Sequence, residues 1–473
     1  MSQLFAAVTD QTVRSCSDLT APAVGRKGSL MESTQTRVVV LGGGFGGLTF
    51  CRHFRCPTAR VTLVDRTNHH LFQPLLYQVA MAGLSAPDIA QPIRSILSRC
   101  ANLEVFLDEV RDVDLASRQV ICQQQKLSYD YLVLALGSVT SYFGHDDWAQ
   151  CAAGLKSLDD ALLMRHNILL AFERAENERD PAPQANLMTI VIVGGGPTGV
   201  ELAGACAELA HRVLRRDFEH IDPTRARIIL VEGMPRILAN LAPELSEHAR
   251  RKLEKLGVQV RVGTPVKSLS KGRITLETGE TIEAANILWT AGVTAHPLTR
   301  RLGVELDRAG RVKVAPDLGV PGHPEVFVIG DMAAALQENG KPVPGVAPAA
   351  MQMAKHVARI IGEELEQGMR HRSRPAFHYR DKGTLATIGR SAAVAMFGRI
   401  KLHGFVAWFA WLIVHLIFLI GFRNKIAVLV SWTYSYFTYK LGARIITGWP
   451  ESATTGKLAA TTKAEPAPFH EAA

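Results

Sequence analysis

Cysteine is scarce in this chain of 473 residues and badly placed for pairing. Cys16, Cys51, Cys56, Cys100, Cys122, Cys151 and Cys206 form no C-x-x-C and no zinc-ligand spacing, and none follows Cys206. That pattern excludes a disulfide scaffold, offers no metal site and fits a reducing compartment. The first 35 residues lack a long apolar run, which counts against a secretory signal, and Asp10 and Asp18 count against a transit peptide. Residues 1–35 therefore read as a disordered extension ahead of a functional start near Met31, and 451–473, rich in Ala, Thr, Lys and Pro, as a disordered tail. Low-complexity bulk is also missing: 47% hydrophobic and 21% charged residues describe an ordered globular protein, and the length calls for two or three domains. Acidic residues are absent altogether from Lys382 to Pro450. The net charge of +9 suits nucleic acid or an anionic membrane equally.

What is present begins at Arg37. Val38 to Leu41 are an unbroken apolar run, as expected of a parallel strand buried on both faces. Gly42, Gly44 and Gly47 follow in the pattern G-x-G-x-x-G, with Phe45 and Gly46 between them. The first glycine permits the strand-to-helix turn, the second lets a pyrophosphate lie on bare backbone, and the third lets the helix pack close. A diphosphate would sit on the helix N-terminus. A second strand, Val61 to Val64, ends in Asp65, where a carboxylate should hold an adenosine ribose. A merely tight turn is the competing reading of the glycines alone.

The pattern occurs twice. Ile190 to Val193 precede Gly194, Gly196 and Gly199, and the strand Ile228 to Val231 ends in Glu232, the counterpart of Asp65. Each half later has an apolar strand running into a small-residue turn, at Ala135 and Gly137 and again at Ala291 and Gly292. A further strand, Val326 to Ile329, ends in Gly330-Asp331 ahead of an expected helix rich in Ala and Met. Asp331 reads either as a plain helix N-cap or as a group reaching a flavin ribityl chain. The fold class is α/β, with two Rossmann-like dinucleotide-binding domains, one inserted in the other, and a C-terminal amphipathic membrane-anchoring region. Expected boundaries are 36–155 with 305–375 for the first domain, 156–304 for the second, and 376–450 for the C-terminal region. Residues 212–226, with Arg215, Arg216 and Asp217, read as a polar insertion without function.

Together these motifs resemble the two-dinucleotide flavoprotein superfold and, within it, the single-subunit, non-proton-pumping type II NADH:quinone oxidoreductases. The resemblance rests on Asp-Arg-Thr-Asn-His-His-Leu-Phe-Gln-Pro-Leu-Leu-Tyr from Asp65 to Tyr77 and Gly-Gly-Gly-Pro-Thr-Gly-Val-Glu from Gly194 to Glu201. Gly330-Asp331, Ala347 to Gln352 and Tyr379 to Gly383 extend it, so that it covers about Arg37 to Gly448. It implies FAD in the first unit, NADH in the second, and hydride transfer done by the cofactors rather than by a side-chain nucleophile. Glu232 favours NADH, since a carboxylate repels a 2′-phosphate, and nearby Arg236 could soften the preference. A helix over 350–361 should aim its dipole at the flavin. Glu201 is the carboxylate the family places near the nicotinamide; a solvated first-turn acid is the alternative. Gln352 and Lys382 stand at the quinone side, although a lipid-facing lysine is as good a reading of Lys382. The family's Ala-Gln-x-Ala-x-Gln is here Ala347-Pro348-Ala349-Ala350-Met351-Gln352, so contacts resting on the first glutamine do not carry over.

Within that resemblance, the electron acceptor follows from absence. Disulfide reductases carry a redox pair after the first ribose acid, whereas Cys51 and Cys56 precede Asp65, on the expected first helix and roughly 140° apart around it. Sulfide:quinone reductases use cysteines in both halves. The acid-free stretch after Lys382 has eight Lys and Arg and four of the six tryptophans, including Trp408, Trp411 and Trp432. Cations with interfacial aromatics suit an anionic leaflet, and the apolar content is too high for nucleic acid. Leu402 to Phe422 is uncharged and long enough to span a bilayer, but His403, His415, Gly404 and Gly421 interrupt or bracket it, which favours a monotopic anchor. The expected place is the cytoplasmic face of a bacterial inner membrane, with ubiquinone or menaquinone as acceptor and a homodimer possible. A non-catalytic NADH-binding membrane regulator, or a flavin reductase with a soluble acceptor, is the rival reading.

Overall fold

The computed structural model describes residues 35–368, 373–438 and 441–446. The expected N-terminal extension up to residue 34, with Met31, and the tail from 451 lie outside the described residues. Strand β1 (Thr36–Leu41) runs into helix α1 (Phe45–His53) and returns as β2 (Ala59–Asp65), followed by β3 (Leu103–Leu107) and β4 (Tyr131–Leu134). Val38, Val40, Leu41, Leu63, Val64 and Leu132 to Leu134 are fully buried, as a sheet covered on both faces requires. Cys56 lies beyond the end of α1, so the two cysteines do not share a helix; both are buried and free.

The chain then crosses into a second sheet. Its first strand is β5 (Ala153–Gly154), ahead of α2 (Leu158–Asn177); β6 (Thr189–Val193), α3 (Pro197–Glu208), β7 (Arg227–Val231), β8 (Val258–Arg261) and β9 (Asn286–Trp289) complete it in the order β5-β9-β6-β7-β8. The return is made by β10 (Gly319–Val320) and β11 (His323–Val328), and β11 pairs in parallel with β4 to give a six-stranded first sheet ordered β10-β11-β4-β1-β2-β3. Ala153 and Gly154, expected in the first unit, thus pair in the second sheet, because Gly154 lies beside Trp289. Leu298 and Leu302, expected in the second unit, pack in the core of the first. Each unit also has a three-stranded antiparallel meander, at 110–128 and 266–283, which extends the internal repeat beyond the glycine motifs. Ser138–Thr140 and Val293–Ala295 pair antiparallel as the ribbon joining the units.

Gly330-Asp331 does not open a helix rich in Ala and Met. A single turn (Gly330–Met332) ends in extended backbone at Ala333, which bridges to Val312. The long helix is α4 (Ala347–Gln367), which begins earlier and ends later than expected and stops at Gly368 in a left-handed cap. The C-terminal region has strands β12 (Thr384–Thr387), β13 (Ala393–Phe397) and β14 (Ile400–His403), then α5 (Gly404–Phe418) and α6 (Phe422–Thr438). The uncharged run is therefore split: its first residues finish a strand, and Gly421, at φ 88°, turns the chain between two helices. No helix among the described residues is long and apolar enough to cross a membrane.

Candidate functional site

The two glycine loops are built alike. Gly42 and Gly194 have φ of 100° and 109°, where a side chain is strained and would strike the backbone of Ala135 and Ala291. Cβ atoms on Gly47 and Gly199 would collide with the Gly42 and Gly194 carbonyls, so both helices sit directly against their own strands. A Cβ on Gly44 or Gly196, by contrast, would meet nothing within 4 Å. These two positions are bare backbone facing open space at helix N-termini that have no side-chain cap and no acid in the first turn. Such free N–H groups suit an anion, and the cradles fit a dinucleotide diphosphate.

Beside each cradle a carboxylate is held in the same way. Asp65 accepts from the Gly43 amide at 2.5 Å and from Thr67 N and Oγ1 at 2.7 and 2.8 Å. Glu232 accepts from the Gly195 amide at 2.5 Å and from Met234 N at 2.7 Å. Arg236 is turned away from the ribose position, donating to the Leu241 and Ala239 carbonyls at 2.8 Å. Gly46 and Gly292 are packing positions, facing Ile329 and the Phe143 ring.

At the carboxyl ends of β4 and β11, Asp331 Oδ2 accepts from Ser138 Oγ at 2.6 Å, and Ser138 in turn accepts from Lys156 Nζ at 3.0 Å. Asp331, Gly330 and Ser138 line a cavity of about 210 Å³ with Val346, Ala349 and Ala350 at the uncapped N-terminus of α4. Lys156 and Ser138 carry no motif, and only tertiary structure brings them to Asp331. His70 is buried against the first glycine loop: Nδ1 meets the Gly43 carbonyl at 3.1 Å and Nε2 has no partner among the described residues.

Glu201 is not a solvated acid. It is 8% exposed, and burial pushes its carboxyl up to about 8 against the opposing Thr387 amide. A buried polar line runs from it: Thr387 N donates to Glu201 Oε1 at 3.3 Å, Thr387 Oγ1 lies 3.0 Å from Tyr77 OH, and Gln78 joins Tyr77 to Trp432 at 3.0 and 2.7 Å. The Gln352 amide is committed on both atoms to the Arg380 backbone, accepting from N at 3.0 Å and donating to O at 2.9 Å. It thereby pins the Tyr379–Gly383 segment that carries the exposed Lys382. Among the described residues no group of His, Cys, Asp or Glu could hold a metal ion.

The profile of the pyridine nucleotide-disulphide oxidoreductases matches residues 36–354, and that of the NDH2 C-terminal domain matches 382–439. Type II NADH:quinone oxidoreductase Ndh of Mycobacterium tuberculosis is 45% identical over 423 residues, 87% of this chain and 90% of that protein. The chain belongs to the type II NADH:quinone oxidoreductases. NdhA of the same organism is 42% identical over 452 residues, 91% of this chain and 95% of that protein. The solved structure of NDH2 from Plasmodium falciparum in complex with NADH covers 88% of this chain and 100% of that one, with a TM-score of 0.80; at 20% identity it supports the fold alone. In this type II NADH:quinone oxidoreductase the NDH2 C-terminal domain supplies the Thr387 amide that donates to Glu201, so the buried acid belongs to two regions at once.

Proposed function

We propose that the chain takes a hydride from NADH onto FAD and passes two electrons to a membrane quinone. The observation that carries this is the doubled cradle, each copy with its own ribose carboxylate, joined to a C-terminal domain whose helices turn apolar stripes outward. When bound, FAD supplies the two-electron chemistry that no side chain here can.

The residues divide the work. Gly44, the α1 N-terminus and Asp65 would hold the FAD diphosphate and ribose; Asp331, Ala135, Gly137 and the α4 dipole would hold its ribityl chain and ring. Gly196, Glu232 and Ala291 would hold NADH. Glu201, kept protonated near neutral pH by burial, would hold a proton between the nicotinamide side and the Thr387–Tyr77 line. Gln352 acts by fixing the Arg380 backbone, which sets Lys382 at the quinone approach. Phe405, Phe409 and Ile413 on α5, with Ile426, Val430 and Phe437 on α6, are exposed and make a surface suited to lie in a cytoplasmic leaflet. Purified protein should show a flavin spectrum and NADH oxidation accelerated by a short-chain quinone. An apoprotein that binds NADH without flavin or turnover would sink the reading.

A further inference from the structure

Lys156 comes from the second unit's edge and reaches into the first unit's site. Its backbone is fixed on both sides. Lys156 N and Ser157 N donate to Asp160 Oδ2 at 3.0 and 2.8 Å as part of the capping box that opens α2, and the Lys156 carbonyl accepts from Gln73 Nε2 at 3.0 Å. The preceding strand residue, Gly154, has room for no side chain because Thr140 of the inter-unit ribbon lies against it. The ammonium is therefore delivered by rigid backbone to one place, beside Ser138 and, through it, Asp331.

An ammonium has three N–H donors and no acceptor. Here the described residues supply one acceptor, Ser138 Oγ. Two donors remain, in a half-buried setting behind Ser138, which lines the cavity together with Asp331. Desolvation pulls the amine's affinity for its proton down, while the Asp331 charge pulls it back up. A cation placed where water is partly excluded, and left short of acceptors, calls for an electron-rich ligand.

We propose that Lys156 is a cation of the flavin site, beside Arg311, which lines the same cavity but is paired with Asp307: acceptor atoms of the bound flavin take its two remaining N–H donors, and the ammonium stabilises the charge the flavin gains from NADH. This rests on the proposed seat of FAD at Asp331. In the step concerned, a hydride carrying two electrons and one proton leaves NADH, NAD⁺ remains, and the flavin becomes more negative by one charge. A fixed cation nearby lowers the energy of that product relative to the oxidised flavin without reorganising. Lys156 thus makes the flavin a stronger oxidant of NADH.

The test uses full-length holoenzyme and the Lys156→Met, Lys156→Gln and Lys156→Arg variants, reading the midpoint potential of bound flavin by equilibrium dye titration beside the ratio of flavin to protein. K156M and K156Q should keep flavin, shift its potential downward, and slow bleaching by NADH by about a hundredfold, the scale of one lost stabilising donor. K156R should recover most of the shift, which a purely structural lysine would not produce. Should K156M fail to fold, K156Q carries the measurement. A wild-type potential in flavin-loaded K156Q overturns the proposal. Asp331→Ala separates the two ideas: undiminished flavin retention there refutes the seat itself, whereas lost retention with an unmoved K156Q potential refutes only the role of Lys156.

Discussion

At the scale of single residues, Glu201 has the most to report. Its carboxyl, pushed up to about 8, stays protonated in the folded protein where an unfolded glutamate, near the ordinary value of about 4.3, is ionised. Between those values the native state binds more protons than the unfolded chain, so stability is fully present at low pH and falls as pH rises through the window. The slope is at most about 1.4 kcal/mol per pH unit. Burial raises Glu208 as well, so the Glu201→Gln variant should flatten the fall without abolishing it. The melting temperature of E201Q should accordingly drop less than that of the parent between pH 5 and 8, and equal drops would show that the acid is not protonated in the fold. Glu232 makes a second residue-scale prediction. Glu232→Gln keeps an acceptor for one of Gly195 N and Met234 N but removes the charge facing a 2′-phosphate. The ratio of kcat/KM for NADPH to that for NADH should rise about tenfold, equivalent to about 1.4 kcal/mol; an unmoved ratio would place Glu232 away from the ribose. Asp65 and Glu232 were legible in the sequence because each ends a strand at a set distance from its glycines. Lys156 was not, since nothing local distinguishes it and only the crossing between units carries it to Asp331. The setting of Glu201 was hidden for the same reason: Thr387, whose amide donates to it, belongs to a region far along the chain.

Elements show where patterning succeeds and where a tertiary contact overrides it. The buried runs of β1, β4, β6 and β11 read directly as strands because both faces of each sheet are covered. The Ala- and Met-bearing stretch after Asp331 has helical composition, yet Ala333 pairs with Val312 and stays extended. Leu402 to Phe422 has the apolar length of a span, but Leu402 pairs with Ala395 in a sheet, and α5 of 15 residues is only about 22 Å long. Helix α4 is held at its far end by a buried ionic knot: Arg374 pairs with Glu364 at 2.6 Å and Asp317 at 3.1 Å, and Tyr131 OH donates to Glu364 at 2.7 Å. Arg374 also lies over the Phe327 ring, 4.7 Å from its centre, which ties the knot to β11. Arg374→Met would leave two carboxylates with their main cation gone, a change that typically costs about 3–5 kcal/mol. Urea unfolding of the flavin-loaded variant should show a loss of that order, partly recovered by adding Glu364→Gln. A loss below about 1 kcal/mol would mean that water already serves the pair.

For the whole molecule the open question is how the C-terminal domain meets the membrane. Removing everything after about Arg399 is too blunt a test, because β14 pairs with β13 and Trp411, Ala407 and Val428 belong to the core that covers the second unit. The outward stripe is a better target. Phe405 and Phe409 on α5 and Val430 and Phe437 on α6 are each more than half exposed, so changing them to serine leaves the core intact. Their attraction to lipid would be apolar and indifferent to salt, while the cations beside them add about 1 kcal/mol each near an anionic surface and are screened. High salt alone should therefore release little of the parent protein from vesicles containing anionic lipid. The fourfold serine variant should remain in the supernatant, more completely at high salt. It should also keep NADH-driven reduction of ferricyanide, which needs only the nucleotide units, and lose most of its activity with a long-tailed quinone dissolved in the vesicles. Retained vesicle binding together with full long-chain quinone activity would show that the stripe is not the surface that meets the bilayer.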